Sequence, residues 1–191
     1  MRSRVLLMPV FLSLFLLPVC SCAKPDGPTP EEATRIHVGE TAPDFSLKTL
    51  SGEEFSLAAA RGEVVLISFF ATWCPPCREE LPLLEQEVWQ QLKSPAFRLL
   101  AIGREETPEK LRPFVEKIGL SFPVGADPDR SIYSKYAEAY IPRLFLVGRD
   151  GKVLFESSDF EVHEFARMKS ILEKALDDSG PDNPGGLGEK L

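Results

Sequence analysis

A near-continuous apolar run, Val64 to Phe70, leads directly into Ala71-Thr72-Trp73-Cys74-Pro75-Pro76-Cys77. A run of this length and composition reads as a strand covered on both faces, so the chain must supply two protecting layers. After a sharp turn at Ala71–Trp73, the segment Pro75–Lys93 reads as a helix. Leu81, Leu84, Val88 and Leu92 recur at three- and four-residue spacings and mark its core face. Pro75 and Pro76 suit a first turn, where the missing N–H has no helical partner anyway. Pro82 falls inside the helix and is expected to kink it.

Two cysteines separated by two residues at such a junction are spaced to close a small disulfide ring. The unpaired N–H groups and positive dipole end of the helix favour a thiolate there. Cys74 reads as the exposed nucleophile and Cys77, one turn deeper, as the resolving thiol. The competing reading, half of a zinc site, requires four N or S ligands. The other cysteines, Cys20 and Cys22, fall in an N-terminal leader, and the two histidines, His37 and His163, are far apart and read as surface residues. No metal and no organic cofactor are expected; the redox group is the Cys74–Cys77 pair itself.

The 191 residues divide into one domain and its tails. Arg2 and Arg4 precede an uncharged apolar run from Val5 to Val19, right for a signal segment and short for a spanning helix. Residues 1–22 read as a signal peptide. Val19-Cys20-Ser21-Cys22 resembles a lipobox, with Cys22 as the lipid-attachment residue; Ser21-Cys22-Ala23 also suits ordinary cleavage to a soluble product. Residues 23–35 hold Pro25, Pro28 and Pro30 among polar residues and read as a tether. Residues 36–177 form the domain, and 178–191 read as a disordered tail. Removing the leader leaves 20 basic against 29 acidic residues, a net charge of −9. That balance argues against nucleic acid and anionic membrane surfaces as partners.

Within the domain, strand and helix signals alternate. Strands are expected at Asp44–Thr49, Phe55–Leu57, Val64–Phe70, Phe97–Ile102, Ser121–Val124, Arg143–Val147 and Val153–Glu156. Helices are expected after Cys77, from Thr107 to a stop at Gly119, from Asp127-Pro128-Asp129 to about Glu138, and from Glu161 to Leu176. Asp150-Gly151 marks a hairpin turn. The order predicts an α/β fold, a mixed central sheet covered by helices on both faces.

The set Ala42-Pro43-Asp44-Phe45, Ala71-Thr72-Trp73-Cys74-Pro75-Pro76-Cys77, Glu80-Leu81-Pro82, Gly119-Leu120-Ser121-Phe122-Pro123-Val124, Asp127-Pro128-Asp129, Tyr140-Ile141-Pro142 and Arg149-Asp150-Gly151-Lys152-Val153 resembles the thioredoxin superfamily, in particular its TlpA/ResA branch. The resemblance covers nearly all of residues 36–176. It implies a thioredoxin fold with an N-terminal strand extension and a helix-strand insertion at Thr107–Val124. It also implies an extracytoplasmic thiol:disulfide oxidoreductase of the bacterial envelope. Its partners would be protein thiol or disulfide substrates and a membrane electron donor, with an N-terminal lipid as tether. A cis Ile141-Pro142 bond beside the cysteines is implied too, with Ile141 offering its backbone to a substrate chain.

Other positions carry open readings. Ser68 stands where thioredoxin has a buried Asp, and Glu80 matches the acid of the TlpA/ResA branch. One turn from Cys77, Glu80 is placed to take that thiol's proton; the alternative is a solvated helix glutamate. Trp73 is expected to shield the motif. Arg143 follows the proline where many relatives carry a small or hydroxylated residue. Either it adds positive potential near Cys74 and favours acidic substrate segments, or it makes a surface ion pair with no catalytic effect. Two rival activities fit less well. A peroxiredoxin needs a threonine three positions before its cysteine, where Ala71 precedes Cys74 and Cys74 precedes Cys77. A DsbA-like oxidase calls for a polar residue between the cysteines, where this chain has Pro75-Pro76.

Overall fold

A computed structural model describes residues 27–178. The expected signal peptide, Cys22, the beginning of the tether and the tail from 179 onward lie outside the described residues. Among the described residues, seven strands form two sheets. β1 (Ser46–Lys48) and β2 (Glu54–Ser56) pair as a small antiparallel hairpin. β3 (Val64–Phe70), β4 (Phe97–Arg104), β5 (Val124–Asp127), β6 (Arg143–Val147) and β7 (Val153–Ser157) form the central sheet, in the order β5-β4-β3-β6-β7. β4 runs parallel to β3 and β5 parallel to β4. β6 is antiparallel to β3, and β7 to β6, which makes the sheet mixed. The helices are α1 (Pro75–Leu83), α2 (Gln90–Leu92), α3 (Pro108–Ile118), α4 (Tyr133–Tyr136) and α5 (Val162–Asp177).

β3 sits at the centre, and every one of its residues is buried. Side chains alternate across a strand, so the run divides into two cores. Val64, Leu66 and Phe70 belong with residues of α1, α3 and α5: Cys77, Leu81, Leu111, Phe165, Met168 and Leu172. Val65, Ile67 and Phe69 belong to a second layer made of the N-terminal extension (Phe45, Leu47, Leu57) and the short α4. The second face is thus covered by one helical turn and a hairpin rather than by long helices. The helix expected from Asp127 to Glu138 contracts to α4. Asp127 ends β5, and its carboxylate accepts the N–H groups of Ile132 and Tyr133 at 3.1 and 2.7 Å, which delays the helix start.

Pro82 does not end the first helix. The chain passes from α1 into a π-helical stretch, Leu84–Trp89, and then into α2. A proline inside a helix removes one backbone bond, and a local widening of the helix is one way the chain adjusts. α3 stops at Gly119, which takes φ 73° as a left-handed cap, as its sequence position predicts.

The expected tether is not extended throughout. Around Pro30–Ala33 the chain turns, with reciprocal caps: the Thr29 N–H donates to Glu32 and the Glu32 N–H to Thr29 Oγ1. Ala33 and Thr34 are buried. The Arg35 N–H donates to Tyr136 O at 2.9 Å, and the Glu138 N–H to Ala33 O at 2.8 Å. Composition could not show this, because the partners lie about a hundred positions further along the chain.

Phe69 contacts the rings of Tyr133 and Tyr136 at 5.2 and 5.3 Å between centroids. Replacing Phe69 with Ala is expected to cost about 3–5 kcal/mol, the usual range for a buried aromatic. Urea unfolding of the oxidised protein measures it, and a loss below about 1 kcal/mol would mean the second core does not support β3.

Candidate active site

β3 delivers the chain to the turn at Ala71–Trp73, and Cys74 becomes the N-cap of α1 with extended backbone, φ −83° and ψ 113°. An N-cap side chain accepts from the first free helical N–H groups. Here the acceptor is sulfur: the Cys77 N–H donates to Cys74 Sγ at 3.3 Å. The two cysteines are joined as a disulfide, with Cα atoms 5.3 Å apart. An N–H aimed at Sγ stabilises negative charge on that sulfur once the bond is reduced. Cys77 is fully buried, and Cys74 is only 2% exposed, so the first cysteine is recessed rather than exposed as its position suggested. Trp73, beside the motif, and Tyr140, beside the facing loop, are exposed large side chains.

Facing the disulfide is the loop before β6. The Ile141–Pro142 bond is cis, and the Ile141 carbonyl oxygen lies 3.7 Å from Cys74 Sγ. β6 begins at Arg143, so Ile141 lies outside the ladder. Tyr140 takes a left-handed φ of 71°, and Tyr133 Oη donates to its carbonyl at 2.5 Å. The antiparallel register pairs Phe69 with Arg143 and Ser68 with Leu144, which sets this loop against the turn after β3.

One turn beyond Cys77, Glu80 is buried (1% exposed) and accepts from Ser68 Oγ at 3.3 Å. Burial raises its carboxyl from 4.5 to about 8; the Ser68 bond opposes the rise and the charge of Asp159 adds to it. Glu80 is therefore no solvated helix residue. Its carboxyl titrates in the range where a thiol ordinarily does.

A second buried carboxylate was not legible as part of the site. Glu106 accepts the Thr72 N–H at 2.7 Å and Thr72 Oγ1 at 2.6 Å, and pairs with Lys110 at 2.6 Å. Arg78 Nε donates to Thr72 O at 2.8 Å. Together they clamp the turn that precedes Cys74. The only available signal was that parallel β3 and β4 end side by side, Phe70 against Gly103, so an acid shortly after β4 reaches that turn.

Arg143 contradicts both readings made for it. It is wholly buried, so it makes no surface ion pair. Phe145 and Val147, on the same side of β6, belong to the second core, whereas Cys74 and Cys77 belong to the first. The Arg143 side chain therefore leaves the sheet on the face opposite the cysteines and does not project towards Cys74. Its guanidinium donates to neutral oxygens of Ala139, Thr34 and Pro30, and none of it is left open to a substrate.

A recessed dithiol at a helix N-terminus, opposite a cis-proline loop on a five-stranded mixed sheet, defines a thioredoxin-fold thiol:disulfide oxidoreductase. Residues 38–155 match the AhpC/TSA family model, and the chain belongs to that family. It is 35% identical over 122 residues to the thiol-disulfide oxidoreductase ResA of Geobacillus thermodenitrificans (strain NG80-2), covering 64% of this chain and 70% of that one. It is 34% identical over 145 residues to the thioredoxin-like protein YneN of Bacillus subtilis (strain 168), covering 74% and 80%. The solution structure of a Bacteroides thetaiotaomicron protein, described as a candidate protein disulfide isomerase, superposes with a TM-score of 0.73. Its identity is 35%, and the match covers 75% of this chain and 92% of that one.

The raised Glu80 pKa has a consequence for stability. Between pH 4.5 and about 8 the folded state keeps a proton that the unfolded chain has lost. The stabilisation linked to it is fully present below pH 4.5 and is lost as pH rises through about 8, by roughly 5 kcal/mol at most. Glu80→Gln is expected to flatten this decline, leaving the variant more stable than wild type above pH 8. Urea midpoints measured from about pH 4.5 to 9 check it; parallel wild-type and variant profiles would contradict the shift.

Proposed function

We propose that this chain reduces disulfides in proteins of the bacterial cell envelope, extracytoplasmically, and is itself re-reduced by a membrane electron donor. The leader with its lipobox-like Cys22 supports an extracytoplasmic, lipid-tethered location. The observation that carries the catalytic part is the approach of the Ile141 carbonyl to Cys74 Sγ at 3.7 Å. It offers an extended substrate one backbone acceptor beside the attacking sulfur, in the manner of an added strand.

The reduced Cys74 thiolate attacks one sulfur of the substrate disulfide; a Cys74–substrate bond forms and the other substrate sulfur leaves as a thiolate. Cys77 then attacks Cys74 Sγ, releasing the second substrate thiol and closing the Cys74–Cys77 disulfide. Two electrons pass to the substrate. Only the ionised fraction of Glu80, which grows as pH rises towards about 8, takes the proton that Cys77 sheds; because a carboxyl near 8 lies close to the ordinary thiol range, the transfer is nearly balanced. Trp73 and Tyr140, exposed beside the two cysteines and the loop, restrict which segments reach the sulfur.

The helix start stabilises a thiolate, but Pro75-Pro76 contribute no polar group between the cysteines. The potential is therefore expected nearer thioredoxin (about −270 mV) than DsbA (about −120 mV). Equilibration with glutathione measures it, and a value above about −160 mV would make the protein an oxidant. The reduced protein is expected to turn over insulin disulfides and not hydrogen peroxide; the reverse preference would favour a peroxidase. In stopped-flow traces, Glu80→Gln is expected to leave mixed-disulfide formation unchanged and slow its resolution, the deficit widening from about pH 6 to about 100-fold near pH 8, where the wild-type carboxyl ionises. Unchanged resolution removes Glu80 from the mechanism.

A further inference from the structure

Arg143 is the largest wholly buried side chain among the described residues, and the chemistry above makes no use of it. We propose that Arg143 and the turn Thr29–Thr34 form a positioning device for the Tyr140-Ile141-Pro142 loop, and so set how tightly a protein substrate is held. This rests on the reading that Ile141 pairs with that substrate.

The guanidinium joins two segments. Nε donates to Ala139 O at 2.9 Å, tying the beginning of the loop to the strand that follows the proline. Nη1 donates to Thr34 Oγ1 at 2.7 Å and Nη2 to Pro30 O at 3.0 Å, tying both to the N-terminal turn. Thr34 Oγ1 in turn donates to Pro30 O at 2.8 Å, so the hydroxyl both accepts and donates. Around this centre the Tyr140 hydroxyl donates to Pro28 O at 2.7 Å, and Arg35 pairs with Glu138 at 2.9 Å. The loop is bounded by the sheet on one side and by this turn on the other.

Stability alone is a poor account of the arrangement. All three acceptors are neutral, and among the described residues no carboxylate pairs with the desolvated guanidinium. A hydrophobic side chain would fill the same place at lower cost. What a planar fork of donors adds is geometry, since it fixes three acceptors on two segments at once. Ile141 lies two residues after Ala139 and two before Arg143, inside the ring that the Nε bond closes. Holding that ring in place holds the carbonyl that faces Cys74.

The test uses the full chain and two disulfides: insulin, which needs the loop, and dithiobis-nitrobenzoate, which needs only Cys74. Thr34→Val removes the Nη1 acceptor while keeping the shape of the side chain, and Thr34→Ser keeps the hydroxyl. For Thr34→Val, kcat/KM on insulin is expected to fall about tenfold through KM, with the small disulfide within about twofold of wild type. Thr34→Ser is expected to match wild type, and Arg143→Lys, which cannot reach three acceptors, to follow Thr34→Val. The proposal is overturned if Thr34→Val leaves insulin turnover unchanged, slows both substrates equally, or acts through kcat. A wild-type protein inactive on both disulfides would overturn the proposed function itself, and the positioning role with it.

Discussion

The pairing of β3 with β6 is the interaction on which the site depends. The two strands run antiparallel, so the end of β3 and the beginning of β6 meet at one end of the sheet. One carries the turn into Cys74, the other the cis-proline loop. Backbone hydrogen bonds set that register, and burial of β3 on both faces holds it, because a one-residue slip would exchange the two cores. The approach of Ile141 to the disulfide follows from this register rather than from any contact between the two loops alone.

Around these strands, buried acids are each given donors. Glu106 holds the turn through Thr72, Asp127 caps the start of the α4 region, and Glu85 receives Ser121 and Gln90. Burial raises the Glu85 carboxyl, but the bonds from Ser121 and Gln90 outweigh it and the net shift is downward. Glu80 differs: it has one long bond from Ser68, and burial prevails. Between these two acids of the same helical region, the supply of donors decides which one favours its charged form and which holds a proton. Glu106, Asp127 and Glu85 serve as struts, whereas Glu80, one turn beyond Cys77, is left able to exchange its proton.

Much of the fold could be read locally. The apolar run of β3, the first-turn prolines of α1, the stop at Gly119 and the apolar face of α5 are short-range patterns that local sterics and burial enforce. The dithiol was equally legible, since two cysteines three positions apart at a helix start bring their own geometry. The helix expected after Asp127 came out shorter because a buried carboxylate took the N–H groups that would have opened it.

By itself the sequence determined the order of strands and helices, the position of the redox pair and the acid one turn beyond it, because these depend on residues within a few positions of one another. Tertiary structure alone decided the depth of Cys74, the charge state of Glu80, the clamp of Glu106 on Thr72 and the fate of Arg143. Apart from the bond of Arg143 to Ala139, four positions away, the hydrogen bonds of Glu80 to Ser68, of Glu106 to Thr72 and of Arg143 to the N-terminal turn join partners 12 to 113 positions apart. Burial and hydrogen-bond supply are set by what the sheet brings together, and no local pattern carries that information.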